Sequence, residues 1–123
     1  MKKTILLLLL LLSLAGCQYA LPPADSGSLE THALVGDRDQ VTTTELTSAQ
    51  VTALGEWFSG HRDGWHYLIA DTAPGKMVYL KRSGKSVAAF NLRPEGLYVA
   101  DLFRTLTQAE RGALEAILGK KSG

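Results

Sequence analysis

The stretch MVYLKRSGKSVAAF, residues 77–90, decides the fold of this chain. Two short apolar runs, residues 77–80 and 87–90, flank a polar segment with Ser83-Gly84 at its centre. A glycine-containing pair between two such runs is typical of a tight β-hairpin, because glycine readily adopts the left-handed backbone conformation that these turns need. The stretch therefore predicts two antiparallel strands joined by a tight turn.

Further strands are predicted on both sides of this hairpin. The run WHYLI, residues 65–69, follows Asp63-Gly64, and a run at residues 97–100, continued by 102–103, follows the turn sequence RPEG. The sequence APGK before the hairpin places Pro and Gly where a type II turn takes them. Connections this short cannot form the crossover that parallel pairing needs, so neighbouring strands are expected to run antiparallel.

A helix is predicted at each end of the strand region. Thr47 with Gln50, and Thr107 with Glu110, have the spacing of capping boxes, which satisfy backbone N–H groups at a helix start. Apolar residues then recur at helical spacing, and a glycine follows each run. They are Val51, Leu54 and Phe58 before Gly60, and Leu114, Ile117 and Leu118 before Gly119. The predicted class is α+β, in the order α-β-β-β-β-α, with one antiparallel sheet packed on one face by both helices in a domain spanning residues 45–123.

The N-terminus has the layout of a secretory signal peptide. Lys2 and Lys3 precede seven consecutive leucines, residues 6–12, and small residues then lead to Cys17. A positive start, a short apolar stretch and small residues are the parts of such a signal. The apolar run is too short for a spanning helix, which needs roughly 20 residues.

The sequence LAGC, residues 14–17, resembles the lipobox of bacterial lipoproteins at all four positions. The resemblance implies that residues 1–16 are removed, that the Cys17 thiol carries a diacylglycerol, and that the new amine is acylated, for example with palmitate. Two or more chains give a stable membrane anchor. Gln18, where an aspartate would favour inner-membrane retention, implies the periplasm-facing side of the outer membrane, with the outer leaflet of the inner membrane as the alternative.

Residues 17–44 are predicted to form the lipidated N-terminus and a flexible tether. The segment is polar and turn-rich, with PP, DSGS and TTT sequences and few large apolar groups. A linker of this length spans roughly 25–30 Å on average, enough to hold a domain clear of the headgroups. Residues 33–35 are a candidate short edge strand inside it.

Charge and cysteine content restrict the classes of partner. Because Lys2 and Lys3 leave with the signal, 11 basic residues remain against 12 acidic ones, which gives no basis for nucleic-acid binding. Cys17 is the single cysteine, so no disulfide braces the domain. A core this small contributes roughly 3–5 kcal/mol at most, so a protein partner or self-association is expected to matter.

Residues 59–66 (SGHRDGWH) hold the main candidates for chemistry. His61, Asp63, His66 and, further on, Asp71 are of the residue types that bind zinc. His61 and His66, however, lie on either side of a predicted turn and share no helical face. The sequence SGKS at residue 83 lacks the preceding glycine and the strand-to-helix context of a phosphate-binding loop. No cofactor and no metal site is predicted.

A surface for interaction is predicted instead. Trp57 lies at the border of the apolar stripe of the first helix, and aromatic residues of this kind anchor protein interfaces. The candidate surface consists of Trp57, Trp65, Lys81, Arg82 and Lys85. The alternative for the two tryptophans is ordinary core packing. For the three cations it is solvation and protection of the sheet edge.

The leading interpretation is a membrane-anchored lipoprotein that presents a small non-catalytic binding domain in the cell envelope. One alternative is an inhibitor or immunity-type protein directed against a wall hydrolase or a toxin. A second is a small envelope enzyme that uses His61, Asp63 and His66, and a third is a dimeric structural lipoprotein.

Overall fold

The computed structural model describes residues 17–68 and 72–119, so the predicted signal peptide and Ile69, the last residue of one predicted strand, lie outside it. The described residues form seven strands and two helices. They are β1 (Ser26–Val35), β2 (Arg38–Glu45), α1 (Ser48–Ser59), β3 (His66–Tyr67), β4 (Lys76–Arg82), β5 (Lys85–Arg93), β6 (Gly96–Val99), β7 (Leu102–Arg104) and α2 (Gln108–Leu118). The strands build one antiparallel sheet in the order β2-β1-β4-β5-β6-β7-β3.

The predicted central hairpin is confirmed and consists of β4 and β5. Tyr79 lies opposite Ala89 in its register. Both central residues of the turn have positive φ, 52° at Ser83 and 79° at Gly84. This is the geometry of a type I′ turn, whose twist matches that of the flanking strands.

One face of the sheet, which we call the inner face, carries the core. Leu29, Val78, Phe90 and Val99 lie opposite one another across β1, β4, β5 and β6, and all four are buried. Because side chains alternate along a strand, the residues of this row share one face. The helices add to the same core Leu54, Phe58, Leu114 and Leu118. Both helices therefore pack on the inner face, as the sequence predicts.

Both predicted capping boxes form. The Thr47 hydroxyl accepts from the Gln50 backbone N–H at 3.1 Å, and Gln50 Oε1 accepts from the Thr47 backbone N–H at 2.8 Å. Thr107 and Glu110 make the same two bonds at 3.1 and 2.9 Å. Each box satisfies two backbone donors that have no partner inside the helix, so both helices begin where the sequence indicates.

The α+β class, the single antiparallel sheet and the two helices are confirmed, but the order of elements differs from α-β-β-β-β-α. The observed order is β-β-α-β-β-β-β-β-α. The run at residues 97–103 divides into β6 and β7 because the chain reverses at Ala100, where φ is 51°. Val99 then pairs with Leu102. The additional strands β1 and β2 come from the N-terminal segment.

The structure also differs from the flexible tether predicted for residues 17–44. β1 and β2 form a hairpin whose register runs from Ser28–Glu45 to Val35–Arg38, and residues 26–30 of β1 pair with β4. The sheet therefore begins at Ser26 and not at residue 45. The candidate edge strand at residues 33–35 is the end of β1. The polar composition concealed β2, because all eight of its residues are exposed and no apolar alternation marks it.

The far half of this hairpin extends beyond the sheet. Residues 31–35 of β1 lie past the last pair with β4, and in the described part of the chain they pair only with residues 38–42 of β2. We call this two-stranded projection the ribbon. Leu34, Val35 and Val41 on it are among the most exposed large apolar side chains of the molecule.

Residues 72–75 lie against the opposite, outer face of the sheet. The buried Asn91 side chain on β5 accepts from the Gly75 backbone N–H at 2.8 Å and donates to the Ala73 carbonyl at 3.2 Å. A Cβ atom at Gly75 would lie 2.4 Å from the Leu92 carbonyl oxygen. Glycine is therefore required where this segment meets the sheet.

We expect a chain that starts at residue 45 to be much less stable than one that starts at Gln18. The shorter chain lacks β1, and burial of Leu29 alone contributes about 1.5–3 kcal/mol. Urea unfolding followed by the fluorescence of the buried tryptophans measures the difference. Equal midpoints for the two chains would contradict the assignment of β1 to the folded domain.

Candidate functional site

The cysteine at the predicted lipid-attachment position lies directly on the folded domain. The Cys17 backbone N–H donates to the Trp65 carbonyl at 3.2 Å. The backbone N–H of Tyr19 donates to the Arg62 carbonyl at 2.9 Å. The ring of Tyr19 packs edge-on against Phe58, with centroids 5.8 Å apart. Cys17 itself is exposed. The chain therefore has no free length between the attachment position and the domain.

Trp57 and Trp65 belong to the core, which corrects their assignment to an interaction surface. They are 6% and 0% exposed. Trp65 Nε1 donates to the His61 carbonyl at 2.9 Å, and the Trp57 ring stacks on the His61 ring at 4.0 Å. The guanidinium carbon Cζ of Arg104 lies over the Trp57 ring, 6.0 Å from the ring centroid. A residue at the border of the apolar stripe of a helix is buried only if side chains from other elements cover it. Helical periodicity in the sequence does not predict which side chains these are.

His61 is occupied by contacts within the domain. Its Nδ1 atom lies 2.6 Å from the Trp57 carbonyl oxygen, and its Nε2 atom lies 3.3 Å from Glu110 Oε2. Both ring nitrogens thus have partners on the two helices. These contacts support a structural role in joining the end of α1 to the start of α2.

Asp63 and His66 are not gathered around His61. The Asp63 carboxylate accepts from Gln18 Nε2 at 2.7 Å, and His66 is exposed on β3. Within residues 17–68 and 72–119, no group of three or more His, Cys, Asp or Glu side chains is arranged to hold a metal ion. Asp71, the fourth candidate ligand, lies outside the described residues.

Glu110 is the centre of the network that links the two helices to β7. It accepts from Arg104 Nη1 at 2.9 Å, in addition to its capping bond with Thr107 and its contact with His61. Partial burial acts to raise the pKa of the Glu110 carboxyl. The hydrogen bonds from Thr107 and Arg104 and the positive charge of Arg104 outweigh that effect, so the pKa lies below its ordinary value.

Lys81, Arg82 and Lys85 are exposed around the turn between β4 and β5, and we call this cluster the basic tip. Asp25 holds the turn in place. Its carboxylate accepts from the Ser83 backbone N–H at 3.0 Å, and its own N–H donates to the Lys81 carbonyl at 2.9 Å. A binding role for the basic tip stays a prediction.

His32 on β1 forms a charged cluster that the sequence pattern did not reveal. Its Nδ1 atom lies 2.9 Å from Asp39 Oδ2 on β2, and its Nε2 atom lies 3.0 Å from Glu30 Oε1. The hydrogen bond to Asp39, followed by the bond to Glu30 and the two negative charges, raises the pKa of His32 although partial burial opposes the shift. A groove of about 510 Å³ on the outer face lies beside this cluster and is also lined by Tyr79 and Tyr98.

One signal in the sequence could have located this cluster. Gly36-Asp37 is a two-residue hairpin turn, with φ of 65° at Gly36, between two stretches that contain apolar residues. Pairing the chain around that turn brings residues 32 and 39 onto neighbouring strands. The cluster was therefore predictable from turn chemistry, though not from hydrophobic alternation.

The outer edge of β2 is a further candidate site. β2 ends the sheet on one side, and in the described part of the chain no other strand covers it. All eight of its residues are exposed. The opposite edge is formed by β3, which has two residues and lies beside the Cys17–Trp65 bridge. The sheet formed by the described residues thus has one long open edge, at the side away from Cys17.

We expect the pKa of His32 to lie above its ordinary value of 6.5 and to fall when Asp39 is replaced by Asn. NMR titration of the imidazole checks this directly. Since the folded pKa is raised, the stabilisation from this cluster is complete below about pH 6.5 and is lost as the pH rises through the folded pKa. Wild type and Asp39→Asn should therefore differ in unfolding free energy at about pH 5.5 and converge at about pH 9. A constant difference would contradict the assignment.

We expect Glu110→Gln to lower the unfolding free energy at neutral pH by about 1 kcal/mol, because the charge-assisted bond with Arg104 is lost while solvent still screens the pair. The folded pKa of Glu110 is lowered, so its contribution is present above about pH 4.5 and disappears as the pH falls through the folded value. Urea unfolding at several pH values measures this. Glu115→Gln is the matched control on the same helix, because its ion pair with Arg111 is longer, at 3.7 Å.

Comparisons with known proteins bear on the N-terminus alone. No helix among the described residues is long and apolar enough to cross a membrane. No curated protein and no solved structure matches the chain. Residues 1–18 match the family described as "Prokaryotic membrane lipoprotein lipid attachment site". The match includes Cys17, so the N-terminus carries a lipid attachment site of the prokaryotic membrane lipoprotein type, which indicates a membrane-anchored lipoprotein.

Proposed function

We propose that this lipoprotein is a non-catalytic binding module of the cell envelope, which pairs an extended segment of a protein partner with the outer edge of β2. The observation that carries the proposal is the eight-residue exposed strand at the end of the sheet. An edge strand presents unpaired N–H and C=O groups to which another chain can add a strand. Proteins commonly block such edges with charged side chains, above all Lys, with Pro or with a short strand. β2 has eight residues and contains no Lys or Pro, and its charged residues lie at its two ends, which leaves the uncharged run QVTTT at residues 40–44.

The net negative charge of the β1–β2 hairpin favours a partner segment with basic residues. Four acidic residues lie on it or at its turn, against one arginine and His32, whose pKa is raised. The acidic residues are Glu30, Asp37, Asp39 and Glu45, and the arginine is Arg38. A partner segment with basic residues would complement this charge, which favours rapid encounter and makes binding weaken as salt increases.

The same charges disfavour a second copy of this chain as the occupant. If two β2 strands pair across a two-fold axis, they run antiparallel. Each residue then lies opposite a residue whose side chain is on the same face of the combined sheet. The two registers that align nearly the whole strand, centred on Val41 or on Thr42, bring Asp37 or Asp39 opposite Glu45. Like charges directly opposite each other destabilise a sheet. A different chain is therefore the better partner.

The predicted membrane location and the contacts of the candidate catalytic residues support this proposal. Gln18 after the lipidated cysteine supports the outer membrane, facing the periplasm, where envelope proteins are the available partners. The internal contacts of His61 and Asp63 favour a binding role over catalysis by these residues. An inhibitor or immunity-type function would be one form of such binding, and the identity of the bound protein distinguishes it.

We expect a photo-crosslinking amino acid at Thr43 to capture one recurring envelope protein in intact cells, because this side chain lies on the open edge strand. The same amino acid at Lys85, on the basic tip, serves as the position-matched control. Mass spectrometry of the crosslinked species identifies the partner. Capture of a second copy of this chain, or no capture at Thr43 beyond that at Lys85, would contradict the proposal.

A pair of proline variants tests the edge itself. Consecutive residues of an edge strand point their N–H groups to opposite sides, so one of Val41→Pro and Thr42→Pro removes an outward donor while the other disrupts pairing with β1. The variant that keeps the unfolding midpoint of the wild type should lose the crosslink from Thr43. Undiminished crosslinking in that variant would show that the backbone edge is not the binding element.

A further inference from the structure

We propose that the side of the domain next to Cys17 rests on the lipid bilayer. This surface, which we call the anchor edge, consists of Cys17, Arg62, His66, Tyr67 and Leu68. The proposal rests on lipid attachment at Cys17 and does not depend on any partner at β2.

No flexible linker separates the lipid-attachment position from the folded domain. The acyl chains on Cys17 lie in the bilayer, and the Cys17 N–H is hydrogen-bonded to the Trp65 carbonyl. Because a strand advances about 3.3 Å per residue, Tyr67 and Leu68 lie roughly 7 and 10 Å from Trp65 along the chain. A domain held this closely brings these residues to the headgroup region.

The residues of the anchor edge have the composition of a membrane-interface surface. Tyr67 is 65% exposed and Leu68 is 41% exposed, on opposite faces of the chain at this edge of the sheet. Among residues 17–68 and 72–119, the other large apolar side chains with this exposure are Leu34, Val35 and Val41, and all three lie on the ribbon. Tyrosine is enriched at membrane interfaces because its ring is apolar and its hydroxyl remains hydrated.

The charged groups of the anchor edge fit the same environment. Arg62 and His66 are exposed on either side of the buried Trp65. An arginine extends its apolar stem along a membrane surface and keeps its guanidinium among the phosphates. Both side chains favour anionic headgroups when charged.

The anchor edge lies at one end of the sheet, opposite β2. β3 and β2 are the two outermost strands, and six strand spacings between them span about 29 Å in a flat sheet. With β3 on the bilayer, the ribbon and the β2 edge face away from it. The basic tip, on the central strands β4 and β5, is the competing membrane contact.

The test uses the full lipidated chain in vesicles of phosphatidylethanolamine and phosphatidylglycerol. Because lipidation occupies the sulfur of the single native cysteine, Tyr67→Cys provides a unique thiol for an environment-sensitive dye. Leu34→Cys on the ribbon and Lys85→Cys at the basic tip are the matched controls. The lipidated wild type should take up no thiol dye, which verifies the anchor independently.

We expect a blue-shifted emission at position 67 and severalfold stronger quenching by a doxyl-labelled lipid there than at position 34. Iodide in the water phase should show the reverse order. Equal lipid quenching at positions 67 and 34, or the strongest quenching at position 85, would overturn the proposal. Neither result would bear on crosslinking at β2.

Hydrogen exchange of backbone amides measures contact with the bilayer without a dye. Peptides that cover residues 62–68 should exchange more slowly in vesicles than in detergent micelles, while peptides that cover residues 31–42 should be unchanged. Unchanged exchange at residues 62–68 would overturn the proposal even if the dye at position 67 partitioned into lipid.

Discussion

The structure depends on one row of apolar side chains that crosses the sheet on a single face. Leu29, Val78, Phe90 and Val99 lie opposite one another on four strands, and both helices cover them. Since a shift of one residue in any strand would turn its apolar side chains toward water, burial of one face determines the register of all four strands. Because the chain has a single cysteine, no disulfide within it can fix the strand register, and hydrophobic burial alone determines it.

The elements predicted correctly are those that depend on neighbours along the chain. Both capping boxes need only residues three apart, and the β4–β5 turn needs only Ser83-Gly84. β2 escaped prediction because all eight of its residues are exposed and no apolar alternation marks it. Of β1, the sequence predicted only residues 33–35 as a strand, because the buried half at residues 26–30 holds a single large apolar residue, Leu29. The packing of Cys17 and Tyr19 on the domain depends on carbonyl groups more than 40 residues away, and no local pattern encodes such contacts.

The candidate site was less predictable than the fold. Trp57 and Trp65 are buried by groups contributed from other elements, including Arg104 and His61, so their residue type indicated a surface role that their environment excludes. His32 acquires its charged partners only when β1 and β2 pair. The exposed cations of the basic tip were located correctly because a two-residue turn necessarily faces solvent. Chemistry that arises from residues distant in sequence required the three-dimensional structure.

The docking of Cys17 on the domain also governs how far the molecule can reach. A disordered linker would let the domain explore a broad volume and would dilute its encounters with any one partner. Direct attachment instead confines the open edge of β2 to a narrow layer, no more than about 29 Å from the strand beside the anchor. In the function proposed above, partners in the same membrane whose binding segment lies within this layer would meet the edge at a high effective concentration, and those further away would not meet it. The width of the sheet would then set the distance over which a partner can be recognised.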